Sequence, residues 1–203
     1  MNNKRMENSI RSLANLYTVV IGAALSVAVV SAIDVNKGLE SINGVTVLLF
    51  VAFLATLLPF FHGALRHLDD VYIENKNEHV SRSAVIFDFA LLFMHALVFL
   101  VLSQLLKKPA DFAWLLIVVL AIDVAWGLFT SFGASSVGRN SVESRWAIIN
   151  ALFVLCVAGY LVSNKIYLKS ENDPMALAPL LAIACVVRSI VDYAWCRDAY
   201  FPE

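Results

Sequence analysis

VTVLLFVAFLATLLPFFHGALRHLDDVY, residues 45–72, opens as a nearly uninterrupted apolar run and ends in a concentration of polar chemistry. Crossing ~30 Å of hydrocarbon takes about 20 residues at helical rise, and this run is long enough. Its end, Pro59 to Tyr72, adds a proline, His62, Arg66, His67, Asp69 and Asp70. Pro59 removes one backbone hydrogen bond and frees the carbonyl of Ala55, so a kink is expected beside His62. His62, Arg66 and either Asp69 or Asp70 recur at i, i+4 and i+7 or i+8, which is one helix face. His67 and Asp69 read more simply as the end of the helix in the headgroup region.

The remainder of the chain repeats the apolar theme. Of 203 residues, 60% are hydrophobic and only 15% charged, against about 25% charged in soluble domains. Six spans are expected: 13–33, 45–68, 84–106, 112–132, 146–162 and 175–193, the fifth being the shortest. Short connections join them, at Asp34–Gly44, Lys107-Lys108-Pro109, Gly133–Ser144 and Ser163–Pro174, where Asn172-Asp173-Pro174 is a helix-start signal. The fold class is therefore all-α, a polytopic membrane bundle of about six helices, with residues 1–203 forming one integral-membrane domain in a lipid bilayer. The first run exceeds the 7–15-residue core of a signal peptide, so it reads as a retained span despite the cleavage-like Val30-Ser31-Ala32.

Ten of the 15 lysines and arginines fall on the side that holds both termini. The positive-inside rule then places both termini in the cytoplasm, in a plasma (inner) membrane. Net charge is −1, and neither a phosphate loop nor a basic helix with interleaved aromatics is present, which argues against nucleic acid. Cys156, Cys185 and Cys196 are odd in number and form no CxxC, so they read as small buried thiols rather than a disulfide framework.

Ionisable groups at bilayer depth are costly and mark functional sites unless they are paired. Asp88 and His95, seven residues apart, share a face of the third span. Asp123 lies mid-membrane in the fourth, with Trp126 one turn further, and must be protonated, paired or bound to a cation. Asn150 lies in the fifth span, and Arg188 and Asp192 form an i, i+4 pair in the sixth. Arg66, Asp70, Asp88, Asp123, Arg188 and Asp192 hold four acids against two cations, so an acidic cluster facing the cytoplasm is expected. The Arg-Asp-Tyr ends of spans two and six read either as an internal repeat or as recurring interface anchors. Tyr200-Phe201-Pro202 reads as an aromatic anchor. In the first span Asn15, Thr18, Gly22 and Ser26 form a small and polar stripe. Gly22-x-x-x-Ser26 points to close helix contact, within the bundle or between copies of a homo-oligomer.

Three functions fit. A channel- or transporter-like protein would pass protons, small cations or a small polar ligand along Asp123, His95, Asp88, His62, Arg66, Asp70, Arg188 and Asp192. A non-catalytic sensor or scaffold would use the same cluster to lock the bundle and would engage a cytoplasmic protein partner. An intramembrane metal enzyme would take ligands from His62, His67 and His95 with Asp88, Asp123 or Asp192. However, His62 and His67, at i and i+5, point apart, so neither a metal, a cofactor nor a catalytic residue is expected.

Overall fold

A computed structural model describes residues 3–33, 43–74, 82–133, 142–164 and 174–202. It is an all-α, six-helix membrane bundle. The helices are α1 (Asn3–Ala32), α2 (Gly44–Asp69), α3 (Arg82–Leu102), α4 (Pro109–Gly133), α5 (Val142–Ser163) and α6 (Pro174–Trp195), followed by a short α7 (Arg197–Tyr200). Each of the first six is long and apolar enough to span a bilayer. The fifth is longer than its apolar core suggests, at 22 residues. Its first turn carries Glu143 and Arg145, charges that conceal the helix start from a hydropathy reading. Most of the linker residues expected at Asp34–Gly44, Gly133–Ser144 and Ser163–Pro174 lie outside the described residues.

Local sequence explains the helix ends. The Asn43 side chain accepts from the Thr46 backbone N–H at 2.8 Å and so caps α2. At Lys107-Lys108-Pro109 the expected tight turn forms, with the Lys108 N–H donating to the Leu105 carbonyl at 2.8 Å. Pro109 then opens α4, at a position where its missing N–H would have had no helical partner anyway. Beyond Asp69 the α2 path continues as a π-helical turn, Asp70–Glu74.

Within the bundle α2 packs along α6, α4 along α5 and α1 along α3. Glycine permits the α4–α5 contact: a Cβ on Gly127 would lie 2.9 Å from the Glu143 carbonyl oxygen and 3.0 Å from Ala147 Cβ. Pro59 lies inside α2 without ending it. The Ala55 carbonyl that Pro59 frees accepts a hydrogen bond from Ser189 Oγ of α6, so the lost bond is replaced across the helix pair.

The two halves of the bundle differ. Leu49, Phe53, Phe99, Phe112 and Leu116 close one half as a fully buried apolar core. The polar groups gather in the other half, toward the end that bears Arg66, Glu143 and Asp198. Outward faces are apolar, with Val19, Phe129, Leu155 and Ile183 all exposed, as hydrocarbon requires. Cys185 and Cys196 are buried, but Cys156 is exposed. It sits on the outward stripe of α5 beside exposed Leu155, which corrects the expectation of three buried thiols.

Candidate functional site

Two polar layers stack along the bundle, and the inner one lies next to the apolar half. There Arg188 Nε of α6 donates to Asn150 Oδ1 of α5 at 2.6 Å. The same amide donates through Nδ2 to Asp123 Oδ2 of α4. Asn150, buried and carrying both donor and acceptor, thus bridges the Arg188 guanidinium and the Asp123 carboxyl, which do not touch directly. The Arg188 guanidinium also lies over the Phe60 ring of α2, 5.4 Å from its centroid. Phe60 packs edge-on against Phe99 on its other side, and so forms the floor between the polar layer and the apolar half.

These groups line a cavity of about 30 Å³ together with His95, Trp146, Asp192 and Tyr200. His95 Nδ1 lies 2.9 Å from the Leu91 carbonyl. A carbonyl only accepts, so Nδ1 carries the hydrogen, and in the neutral form of the ring Nε2 is the acceptor. Four buried polar atoms of the lining have no hydrogen-bond partner among the described residues: His95 Nε2, Trp146 Nε1, Arg188 Nη1 and Asp192 Oδ1. His95, Arg188 and Asp192 are only 2%, 6% and 2% exposed.

The outer layer is saturated by contrast. His67 Nε2 lies 3.1 Å from Asp88 Oδ2 and His67 Nδ1 3.3 Å from Glu143 Oε1. Carboxylates only accept, so either an imidazolium donates to both or one carboxyl holds the second proton. Tyr72 O–H donates to Asp88 Oδ2 at 2.5 Å and Trp126 Nε1 to Asp88 Oδ1 at 3.3 Å. A wider cleft of about 280 Å³ adjoins this layer, lined by Arg66, His67, Asp70, Glu143, Arg145 and Asp198 among others. Trp146 lines both spaces, and Trp126 lines the inner cavity while bonding to the outer cluster.

The chain beyond α6 closes the arrangement. Cys196 interrupts the helix and α7 turns Tyr200 back inward, where it is 3% exposed. The Tyr200 hydroxyl donates to Asp192 Oδ2 at 3.1 Å. Burial, and after it the Asp192 carboxylate, pushes this hydroxyl above the usual phenol range, so it stays a donor. The same two causes push the Cys196 thiol up to about 12. Two arginines hold the hook by its carbonyls: Arg66 Nε donates to Ala199 O at 2.9 Å and Arg145 Nη1 to Trp195 O at 3.0 Å. Gly63 leaves the space Tyr200 needs, since a Cβ there would meet the Tyr200 hydroxyl at 3.4 Å and Trp146 at 3.3 Å.

No family model matches the chain, and no curated protein or solved structure matches it either. The site alone carries the functional argument.

Asp123, His95, Arg188 and Asp192 come together in the inner cavity. Asp88 joins the outer cluster instead: it shares a face of α3 with His95 but lies two turns away along it. Arg66 and Asp70 line the cleft. Among the described residues His62 makes no hydrogen bond; it lies half-buried in an aromatic group, 4.8 Å from the Tyr200 ring and 5.9 Å from Tyr193. His67, which reads as a headgroup residue, is buried at the centre of the outer cluster. Tyr200 reads as an interface anchor and is interior, while Phe201 beside it is exposed. The Arg-Asp-Tyr ends of α2 and α6 differ in contact, Arg66 donating to a hook carbonyl and Arg188 to Asn150. Gly22 and Ser26 face outward, and Ser26 Oγ is satisfied by the Gly22 carbonyl of its own helix. Among the described residues no three His, Cys, Asp or Glu side chains are grouped to hold a metal ion.

Proposed function

We propose that this is a channel- or transporter-like membrane protein that handles protons or small cations through a polar pocket entered from the Arg66 end. The supporting observation is the convergence of four unpartnered buried polar atoms on the Asp123–Asn150–Arg188 bridge, at a depth where unpaired polarity is expensive. A network kept only for stability would be closed on itself, as the outer one is. The positive-inside bias makes the Arg66 end cytoplasmic in this reading and the membrane a plasma (inner) membrane. Self-association through the outward Gly22–Ser26 face belongs to the same reading. The test is reconstitution into liposomes, with proton and cation flux measured for wild type and for Asp123→Asn shown to be folded. Flux in the wild type and its loss in the variant are expected. Equal flux in both, or none in the wild type, removes the proposal.

A second reading, a sensor or scaffold with a soluble partner, draws on the saturated outer layer. His67, Asp88, Glu143, Tyr72 and Trp126 form a closed set that fixes the register of α2, α3, α4 and α5. The polar cleft beside it offers both charge signs to a partner segment. That reading expects Asp123→Asn to weaken the fold and leave partner binding intact.

A further inference from the structure

We infer that the inner cavity takes water, a bridging pair of molecules linking Asp192 to His95, and that the ion handled here is the proton. The inference rests on the ion-pathway reading and narrows it. It starts from a hydrogen-bond inventory. Of the four unpartnered atoms, Arg188 Nη1 and Trp146 Nε1 are donors, and Asp192 Oδ1 and His95 Nε2 are acceptors. A metal ion answers only acceptors, would sit against the Arg188 guanidinium, and finds no cluster of three ligands among the described residues. Hard cations want about six or more oxygens. An ammonium ion only donates, which leaves Arg188 and Trp146 unmet. An anion only accepts, and it would face the carboxylates of Asp123 and Asp192. Of these species only water both donates and accepts, and so meets all four. A cavity of about 30 Å³ exceeds the roughly 10–15 Å³ that a single water needs and leaves room for a second.

The route follows from the same atoms. Asp192 Oδ1, an acceptor at rest, takes up a proton and then donates it to the first water. That water passes one of its own protons to the second, which gives one to His95 Nε2. The Oδ1–H bond breaks and an Nε2–H bond forms. Asp192 ends as a carboxylate, His95 as an imidazolium, and both waters are regenerated. The charged and titratable groups facing this path are Arg188 and Asp192 from α6, Asp123 from α4, His95 from α3 and Tyr200 from the hook. α2 and α5 present Phe60, Gly63, Asn150 and Trp146, which carry no charge. The Asp123 carboxylate stabilises the imidazolium. Arg188 disfavours a second cation and holds Asn150 in place. Trp146, shared with the outer cleft, marks where protons enter.

The test uses proteoliposomes in a medium whose only cation besides H⁺ is a bulky organic one, with internal pH followed by a dye, and then a medium containing Rb⁺. Proton flux should persist without metal cations. It should fall on the order of 100-fold in His95→Gln and measurably in Trp146→Phe, which keeps the ring's bulk and removes only its N–H. Should His95→Gln fail to fold, Trp146→Phe carries the test alone. Crystals soaked in Rb⁺ should show no anomalous scattering in the cavity. Rb⁺ flux with no proton flux in the metal-free medium would overturn this inference and leave the broader ion-pathway reading standing. Full proton flux in the folded variants would overturn the water route. No flux of either ion from the wild type would overturn both readings.

Discussion

Two glycine-to-alanine substitutions on adjacent helices should shift stability in opposite directions. In α4, a Cβ on Gly127 would lie 2.9 Å from the Glu143 carbonyl oxygen and 3.0 Å from Ala147 Cβ. Ordinary contacts sit near 3.5–4.0 Å, so α4 and α5 must separate by about 0.5–1 Å. Backbone cannot yield as a flexible side chain can, and overpacking of this kind costs about 1–3 kcal/mol. In α5, a Cβ on Gly159 meets nothing within 4 Å. Both changes gain roughly 0.5–1 kcal/mol of helix propensity. That gain cancels between the two variants, so Gly127→Ala should be less stable than Gly159→Ala by about 2 kcal/mol. At roughly 2–4 °C per kcal/mol for a chain of this size, the melting temperatures should differ by about 4–8 °C. Thermal unfolding in one detergent, followed by near-ultraviolet circular dichroism, measures the difference. Gly159→Ala should melt above the wild type and Gly127→Ala below it. Equal melting of the two, or Gly127→Ala the higher, would refute the α4–α5 contact and with it the placement of Glu143 beside His67.

Three other outcomes follow from the same geometry. His67→Leu leaves the buried Asp88 and the partly buried Glu143 without their shared partner, and should cost about 3 kcal/mol in denaturant unfolding. Tyr200→Phe keeps the hook but loses the bond to Asp192. Because the folded hydroxyl titrates above the ordinary value of 10.0, the unfolded chain loses its proton first. The wild type should therefore shed stability as pH rises past about 10, and the variant should lack that component in alkaline unfolding curves. Gly22→Ile should not lower the melting temperature, since its Cβ meets nothing within 4 Å and glycine is the poorer helix former. It should lower any oligomer to monomer by light scattering in detergent.

The six spans are legible in the sequence because hydrocarbon thickness fixes run length, and a run such as 45–68 has no soluble explanation. The polar inventory of the site is legible too. Asp123 and His95 stand out because nothing at their depth reaches water, and Arg188 and Asp192 as an i, i+4 pair. Their pairing is not legible, because it depends on how each helix is rotated against its neighbours. Asn150 between Arg188 and Asp123 joins three helices, and no spacing within one helix encodes it. His67 looks like a headgroup residue because Asp69 and Asp70 follow it. Its partners, Asp88 and Glu143, arrive from α3 and α5. Tyr200 follows a helix end and reads as an anchor; its inward turn depends on the gap at Gly63 in α2, 137 positions earlier. The Ala55 carbonyl freed by Pro59 is the exception. The sequence names it, and Ser189 supplies the partner.

The most direct measurement is the nitrogen NMR spectrum of His95 with the protein in lipid bilayers, assigned by its loss in His95→Gln. Proton on Nδ1, bare Nε2 and a cross-peak from water to the ring are expected, because Nδ1 is held by the Leu91 carbonyl and Nε2 faces the cavity. A neutral ring protonated on Nε2, with no water cross-peak at mid-membrane depth, would contradict the account.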